Sequence, residues 1–80
     1  MNKMDGFDSC VVGLVAAFGR QSVICYDQAL VIAALEEQGM SYDEAVEFFW
    51  FNQIGAYVGD GTPAFLERKS LKEIEEWITI

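Results

Sequence analysis

The chain has 80 residues, thirteen of them acidic and five basic, which gives a formal net charge of −8, and it has no histidine. This length predicts one domain with a thin core, while an apolar content of 52% argues against intrinsic disorder. The acidity argues against direct binding to nucleic acid or to an anionic membrane, because both need clustered Lys and Arg. The lack of histidine removes the commonest general base and metal ligand.

The N-terminal third predicts a helix followed by a strand. Residues 1–6 are predicted to be loosely ordered, and Phe7 to Phe18 to form a short helix that Gly19 ends. The uncharged run inside it is too short to span a bilayer, and the acidic residues before it argue against a signal peptide. The β-branched and aromatic run from Ser22 to Tyr26 favours a strand.

The middle of the chain predicts two helices with clear start signals. Asp27 is predicted to be the N-cap of a buried helix from Gln28 to Gln38, which Gly39 ends. The sequence Ser41-Tyr42-Asp43-Glu44 is a capping box, so a second helix is expected to run to about Asn52. Its apolar residues outnumber the positions of one helix face, so some of its aromatic side chains are expected to meet another element or a partner.

The C-terminal third predicts a hairpin and a last helix. Two short extended runs, residues 56–58 and 64–66, flank Gly59-Asp60-Gly61, which is typical of a tight turn. A second capping box at Ser70 to Glu73 begins a helix to about Thr79, with Leu71, Ile74, Trp77 and Ile78 as its buried stripe. The expected fold is a single α+β domain over residues 1–80, with three to four short helices packed on a minimal two- to three-stranded antiparallel sheet.

Residues suited to catalysis or cofactor binding are scarce. Gly59-Asp60-Gly61 lacks the remainder of a phosphate-binding loop. Cys10 and Cys25 have no histidine base and match no zinc spacing, so we expect reduced thiols packed as small hydrophobic groups in a cytoplasmic protein. Asp43 and Glu47 lie on one side of a helix, but metal-binding helices normally add a histidine. We therefore expect no enzyme activity, no cofactor and no metal, with an acid-only metal site as a third alternative.

The charges are unevenly distributed along the sequence. No Lys or Arg occurs between Gln21 and Glu67, whereas eight acidic residues do. One interpretation is an acidic surface that only maintains solubility. The other is a surface that attracts a basic partner, because a patch of one sign accelerates encounter with the opposite sign.

The second interpretation selects nine residues as a partner-binding surface. Six are acids that would stand in for phosphates: Asp43, Glu44, Glu47, Glu36, Glu37 and Asp60. Three are aromatic residues of the kind that anchor interfaces, although burial in the core is the commoner fate of any one such residue: Tyr42, Trp50 and Tyr57.

Three strings of the sequence resemble small acidic proteins encoded by bacteriophages and prophages. The similarity covers about residues 23 to 66 and is carried by Val23 to Asp27, by Gly-Met-Ser-Tyr-Asp-Glu-Ala from Gly39, and by Gly-Ala-Tyr-Val-Gly-Asp-Gly-Thr-Pro from Gly55. The resemblance implies a phage gene product that works in the cytoplasm of a host bacterium. Small, acidic, non-catalytic phage proteins include anti-CRISPR inhibitors, several of which mimic DNA in charge.

Two functions are therefore expected. The first is an anti-CRISPR-like inhibitor that binds the basic nucleic-acid-binding surface of a host defence complex, such as a CRISPR effector complex, and blocks target DNA. The second is a non-catalytic adaptor or structural accessory protein that uses the aromatic surface of Phe48, Trp50 and Phe51, as a monomer or a homodimer. Neither function involves direct binding of nucleic acid or of a membrane.

Overall fold

The computed structural model describes residues 3–54 and 61–78 and has the expected α+β composition. A short 3₁₀ turn, Asp8–Cys10, precedes the first strand, and a π-helical segment, Phe49–Ile54, continues the second helix. The remaining elements in chain order are β1 (Val11–Ala17), β2 (Arg20–Asp27), α1 (Gln28–Glu37), α2 (Tyr42–Phe48), β3 (Ala64–Leu66) and α3 (Leu71–Ile78). No helix in this described part is long and apolar enough to cross a membrane.

The helix predicted from Phe7 to Phe18 is wrong, because most of this segment forms β1. β1 pairs with β2 in an antiparallel hairpin, in which the Leu14 position lies opposite Ile24. Gly19 lies in the two-residue turn between the strands with a φ of +76°, a conformation that glycine adopts without steric cost. The three valines of β1 suit an extended strand better than a helix once β2 is available as a pairing partner.

The strand expected within Ser22 to Tyr26 is confirmed and is longer at both ends, and the third strand pairs with it in parallel. Cys25, Tyr26 and Asp27 lie opposite Ala64, Phe65 and Leu66, respectively. The sheet order is β1-β2-β3, so the expectation of an entirely antiparallel sheet is wrong for the second pair. Both helices α1 and α2 lie between β2 and β3 in sequence, and a crossover of that length returns the chain in the parallel direction. The predicted hairpin partner, residues 56–58, lies outside the described residues.

The core lies where α1 and α2 cover the last residues of β2. Tyr26 is fully buried, its ring stacks on Phe65 at a centroid distance of 5.9 Å, and its hydroxyl accepts a hydrogen bond from the Met4 backbone N–H at 2.7 Å. The Phe49 ring meets Phe65 edge-on at 5.1 Å. The other members of the buried apolar cluster are Phe7, Cys10, Val31, Ile32, Leu35 and Ala45.

The start signals of the three helices are confirmed, but the predicted buried stripe of α3 is wrong for three of its four members, and the side chain of the fourth, Ile78, lies outside the description. The Asp27 side chain caps α1, and α1 buries Val31, Ile32 and Leu35. In α3, however, Leu71 is 70% exposed and Trp77 is 73% exposed, and Ile74 is exposed as well. The sequence period correctly indicates an amphipathic helix, but α3 makes only sparse contacts with the other described elements, so nothing there covers its apolar face.

Candidate functional site

The second helix begins with reciprocal hydrogen bonds that fix two of the predicted site residues. The Ser41 hydroxyl accepts the backbone N–H of Glu44 at 3.2 Å, and the Glu44 carboxylate accepts the backbone N–H of Ser41 at 3.0 Å. These bonds hold the pKa of Glu44 below its usual value, with the backbone N–H of Ser41 as the main cause. The Glu44 side chain is therefore ionised near neutral pH and held in place at the start of α2.

Asp43 and Glu47 add two further carboxylates to α2. Both are exposed, and residues four apart lie on the same side of a helix about 6 Å apart along its axis. Neither forms an ion pair with a cation among residues 3–54 and 61–78. The exposed Glu36 and Glu37 lie in the last turn of α1, which packs against α2. No cation in the part of the chain that the structure describes forms an ion pair that would offset the repulsion between these acids.

Exposed aromatic side chains follow these acids at the end of α2. Phe49 points into the core, whereas Phe51 is 75% exposed and Trp50 is 51% exposed, with the Trp50 ring edge-on to Phe49 at 5.7 Å. The expectation that one helix face cannot bury all of these aromatic side chains is confirmed. Phe48 is also exposed, and its carbonyl oxygen accepts a hydrogen bond from the Asn52 side chain at 3.2 Å.

Acids and aromatic residues meet in a shallow depression of about 340 Å³ on α2. We call this depression the α2 groove. It is lined by Met40, Glu44, Glu47, Phe48, Phe51 and Asn52. A carboxylate pair beside exposed rings is suited to a guanidinium or ammonium group, which can pair with the acids and lie over a ring face.

The structure brings together only part of the predicted surface. Of the nine residues, Glu44 and Glu47 line the α2 groove, while Glu36 and Tyr42 line a different depression. Asp43, Glu37 and Trp50 are exposed but line neither of these depressions. The remaining two, Tyr57 and Asp60, lie outside the described residues.

The second depression, of about 510 Å³, surrounds the N-terminus of α1 and contains an ion pair that the sequence does not reveal. Arg68 Nε donates to Asp27 Oδ2 at 2.9 Å, and Asp27 Oδ1 accepts the Leu30 backbone N–H at 3.1 Å. The pKa of Asp27 is lowered, first by the Leu30 N–H and then by Arg68, against the opposing effect of burial. Gln28 Nε2 also donates to Glu67 at 3.3 Å across this depression.

The ion pair between Asp27 and Arg68 has a structural role. Asp27 is 5% exposed and each of its oxygens accepts a hydrogen bond, so the carboxylate has both a capping and a charge-pairing role. Arg68 follows β3, and only the parallel pairing of β3 with β2 brings it to the end of β2. The capping role was predictable from the sequence, but the partner 41 residues away was not.

Potential metal ligands are dispersed over the described residues. In these parts of the chain, no group of three or more Cys, Asp or Glu side chains is arranged to hold a metal ion. Cys10 and Cys25 are both buried free thiols, as expected from the usual behaviour of unpaired cysteine. The chemistry that the arrangement supports is recognition of positive charge next to an apolar surface.

Comparison with protein-family models, with curated proteins and with solved structures finds no match to this chain. The resemblance to small bacteriophage proteins therefore stays a prediction from the sequence strings alone.

Proposed function

We propose that this chain is a non-catalytic, acidic protein inhibitor, similar in mode of action to anti-CRISPR proteins. It binds the basic nucleic-acid-binding surface of a host defence complex in the bacterial cytoplasm and blocks the binding of target DNA. The observation that carries the proposal is the α2 groove, in which two carboxylates lie beside two exposed aromatic rings. Lys and Arg side chains that normally bind phosphates would be its ligands.

Charge supports binding to a basic partner at long range. A net charge of −8 on 80 residues attracts a cationic surface and raises the rate of encounter, and it disfavours acidic partners. The unpaired acids of α1 and α2 repel one another in the free protein. A basic partner relieves this repulsion on binding, so the complex gains more than the sum of isolated surface ion pairs.

The aromatic rings support binding at short range. Exposed surface ion pairs alone contribute little, typically under about 1 kcal/mol each. Phe48 and Phe51 provide apolar surface that excludes water around the charges and offers ring faces to a guanidinium. This combination favours an arginine-rich surface over a purely diffuse electrostatic contact.

A second candidate function is supported by the same aromatic side chains. Phe51, Trp50 and Phe48 can serve a non-catalytic adaptor or accessory protein whose partner is apolar, in which case the acids only maintain solubility. The two functions differ in their response to salt. A complex held by opposite charges dissociates as ionic strength rises, whereas an apolar complex persists.

Competition for a purified CRISPR effector complex tests the proposed inhibition. Increasing amounts of this protein are added to the effector and a fluorescent target duplex, and bound DNA is measured by anisotropy. We expect the bound fraction to fall as the protein saturates the effector, and we expect this inhibition, measured against effector and DNA alone at the same salt, to weaken as salt is raised. Undiminished DNA binding at saturating protein would contradict occlusion of this effector.

Charge reversal on α2 identifies the surface that binds. Asp43→Lys with Glu47→Lys should weaken inhibition by about tenfold or more and flatten its salt dependence. The matched control is Asp5→Lys with Glu76→Lys, which changes the net charge equally at exposed positions on other parts of the fold. If both double variants lose the same activity, net charge rather than the position of the acids on α2 accounts for binding. Circular dichroism verifies that each variant is folded.

A further inference from the structure

The outer edge of β1 has no charged side chain and no proline, although its pairing with β2 is irregular between Val11 and Gly13 and between Val15 and Ala17. β1 is the first strand of the sheet order β1-β2-β3, so one of its edges is unpaired within the described part of the chain. All seven of its residues, Val11–Ala17, are exposed, and none is charged or a proline. Natural edge strands that remain unpaired usually carry a charge, a proline or a covering element.

The side chains of the β1–β2 hairpin add an apolar surface to this edge. Burial in β2 increases from exposed Arg20 to buried Asp27, so the turn end of the hairpin projects away from the core. Leu14, at the centre of β1, is 65% exposed, and Phe18 in the turn is fully exposed. Val11, Val12 and Val15 are exposed as well.

The total exposed surface exceeds that of an ordinary monomer of this size. The chain exposes 5885 Å² at a mass of 9.0 kDa. A folded monomer of this mass is expected to expose about 4,850 Å², so the excess is on the order of 1,000 Å². A standard protein–protein interface buries about 800 Å² from each partner, so the excess, which the exposed side chains of β1 share with those of α3 and of the segment after α2, is large enough for one side of such an interface.

The distribution of charge favours a second copy of this chain over a basic partner as the occupant of this surface. None of the thirteen acidic residues lies between Ser9 and Tyr26, and Arg20 is the one charged residue of that segment. A second copy of this chain, despite its charge of −8, can therefore approach β1 without placing acids opposite acids. A basic partner gains nothing there, because it would lose hydration of its cations against an uncharged strand.

We propose that two copies of this chain form a homodimer by antiparallel pairing of β1 with β1. The two-fold axis passes near Leu14, and the two three-stranded sheets join into one six-stranded sheet. Such an interface is closed, because each strand edge is satisfied by the same edge of the other copy. Backbone hydrogen bonds along the strands supply the register, and the exposed leucine and valine side chains supply the apolar contact. The α2 groove takes no part in this contact, so the dimer does not depend on the proposed function.

Sedimentation equilibrium of the full-length protein over a wide range of concentration tests the dimer. We expect a mass twice that of one chain, retained or strengthened at raised salt, because screening reduces the repulsion between two acidic copies. Leu14→Lys places two like charges opposite each other at the axis and should weaken the dimer by about a hundredfold. The matched control is Leu71→Lys on α3, an equally exposed leucine whose substitution should leave the dimer intact.

Amide hydrogen exchange of the unmodified protein gives a second test. This test holds even if the substituted proteins fail to fold. Protection of residues 11–17 should increase with protein concentration, while protection of α3 should not. A single-chain mass at every concentration would overturn the proposal. The proposal would also be overturned if Leu71→Lys dissociated the dimer and Leu14→Lys did not. Concentration-dependent protection of amides in α3 alone would overturn it as well.

Discussion

The carboxylate of Asp27 and the guanidinium of Arg68 are 41 positions apart in sequence and form an ion pair at 2.9 Å. Asp27 ends β2 and caps α1, and Arg68 follows β3, so the pair fastens the end of the parallel strand pair. The Asp27 side chain is buried, whereas the Arg68 side chain is 68% exposed. The two partners therefore contribute unequally to stability.

Removal of Asp27 should destabilise the protein more than removal of Arg68. Asp27→Ala loses the helix cap as well as the ion pair, and we expect a loss of about 2 kcal/mol in the free energy of unfolding. Arg68→Met keeps the helix cap and an apolar stem, and water can reach the freed Asp27 oxygen where the 68% exposed guanidinium stood, so we expect a loss of about 1 kcal/mol. Urea denaturation followed by circular dichroism measures both values. A larger loss for Arg68→Met would contradict the dominant role of the cap.

Stability should fall in acid through the same carboxylate. The pKa of Asp27 is lower in the folded protein than in the unfolded chain, where it is about 3.9. The unfolded state therefore takes up a proton first as the pH falls. The contribution of Asp27 is complete above about pH 4 to 5 and is lost below it, as the pH passes the folded pKa.

Thermal melts at a series of acidic pH values measure this dependence. Asp27→Asn keeps a capping side chain but cannot titrate, so its melting temperature should fall less steeply with decreasing pH than that of the unmodified protein. Glu44 and Glu73 also have a lowered pKa and remain in both proteins, so some acid dependence persists. Parallel curves for the two proteins would mean that Asp27 is not linked to acid unfolding.

Local signals in the sequence predict the helices of this fold, and non-local pairing determines the rest. Both capping boxes and the Asp27 cap depend on residues within three positions of each other, and all three are present. The segment from Phe7 to Phe18 carries an uncharged apolar run with no decisive period. This segment becomes a strand because it pairs with β2, which lies outside the run, so the run alone cannot predict that conformation.

The candidate site was predictable in its composition and less so in its geometry. Acids and aromatic residues four positions apart on α2 fall on one side by helical periodicity, which places Glu44 and Glu47 near Phe48 and Phe51. Whether an apolar stripe is covered depends on tertiary packing. The stripe of α3 has the same pattern as a buried helix, yet Leu71 and Trp77 are exposed.

Aromatic residues of the core and of α3 should differ sharply in their contribution to stability. Phe49 is fully buried against Phe65, so we expect Phe49→Ala to cost about 3–5 kcal/mol and the milder Phe49→Leu about 1 kcal/mol. Trp77→Ala removes a 73% exposed side chain and should change the free energy of unfolding by under about 0.5 kcal/mol. Urea denaturation compares the three variants. A large cost for Trp77→Ala would indicate that α3 packs against a surface of the protein or of a second copy.

The two capping boxes provide a matched comparison of two helices. The Ser41 and Ser70 hydroxyls each accept the backbone N–H three residues on at 3.2 Å, and each serine N–H donates to that same residue's glutamate carboxylate. Substitution of either serine by alanine removes the hydrogen bond that its hydroxyl accepts and leaves the bond that its backbone N–H donates. The helices differ in what they bury, because α2 contributes Ala45 to the core whereas α3 contributes none of the side chains described for residues 71–77 to the buried cluster.

Ser41→Ala should therefore lower the free energy of global unfolding by about 1 kcal/mol. Ser70→Ala should leave global unfolding nearly unchanged and instead increase amide exchange within α3, because a helix without a covered face unfolds locally before the core does. Urea denaturation and native-state hydrogen exchange separate the two effects. Equal losses of global stability would show that α3 belongs to the same cooperative unit as α2, and would require its apolar face to be covered in solution.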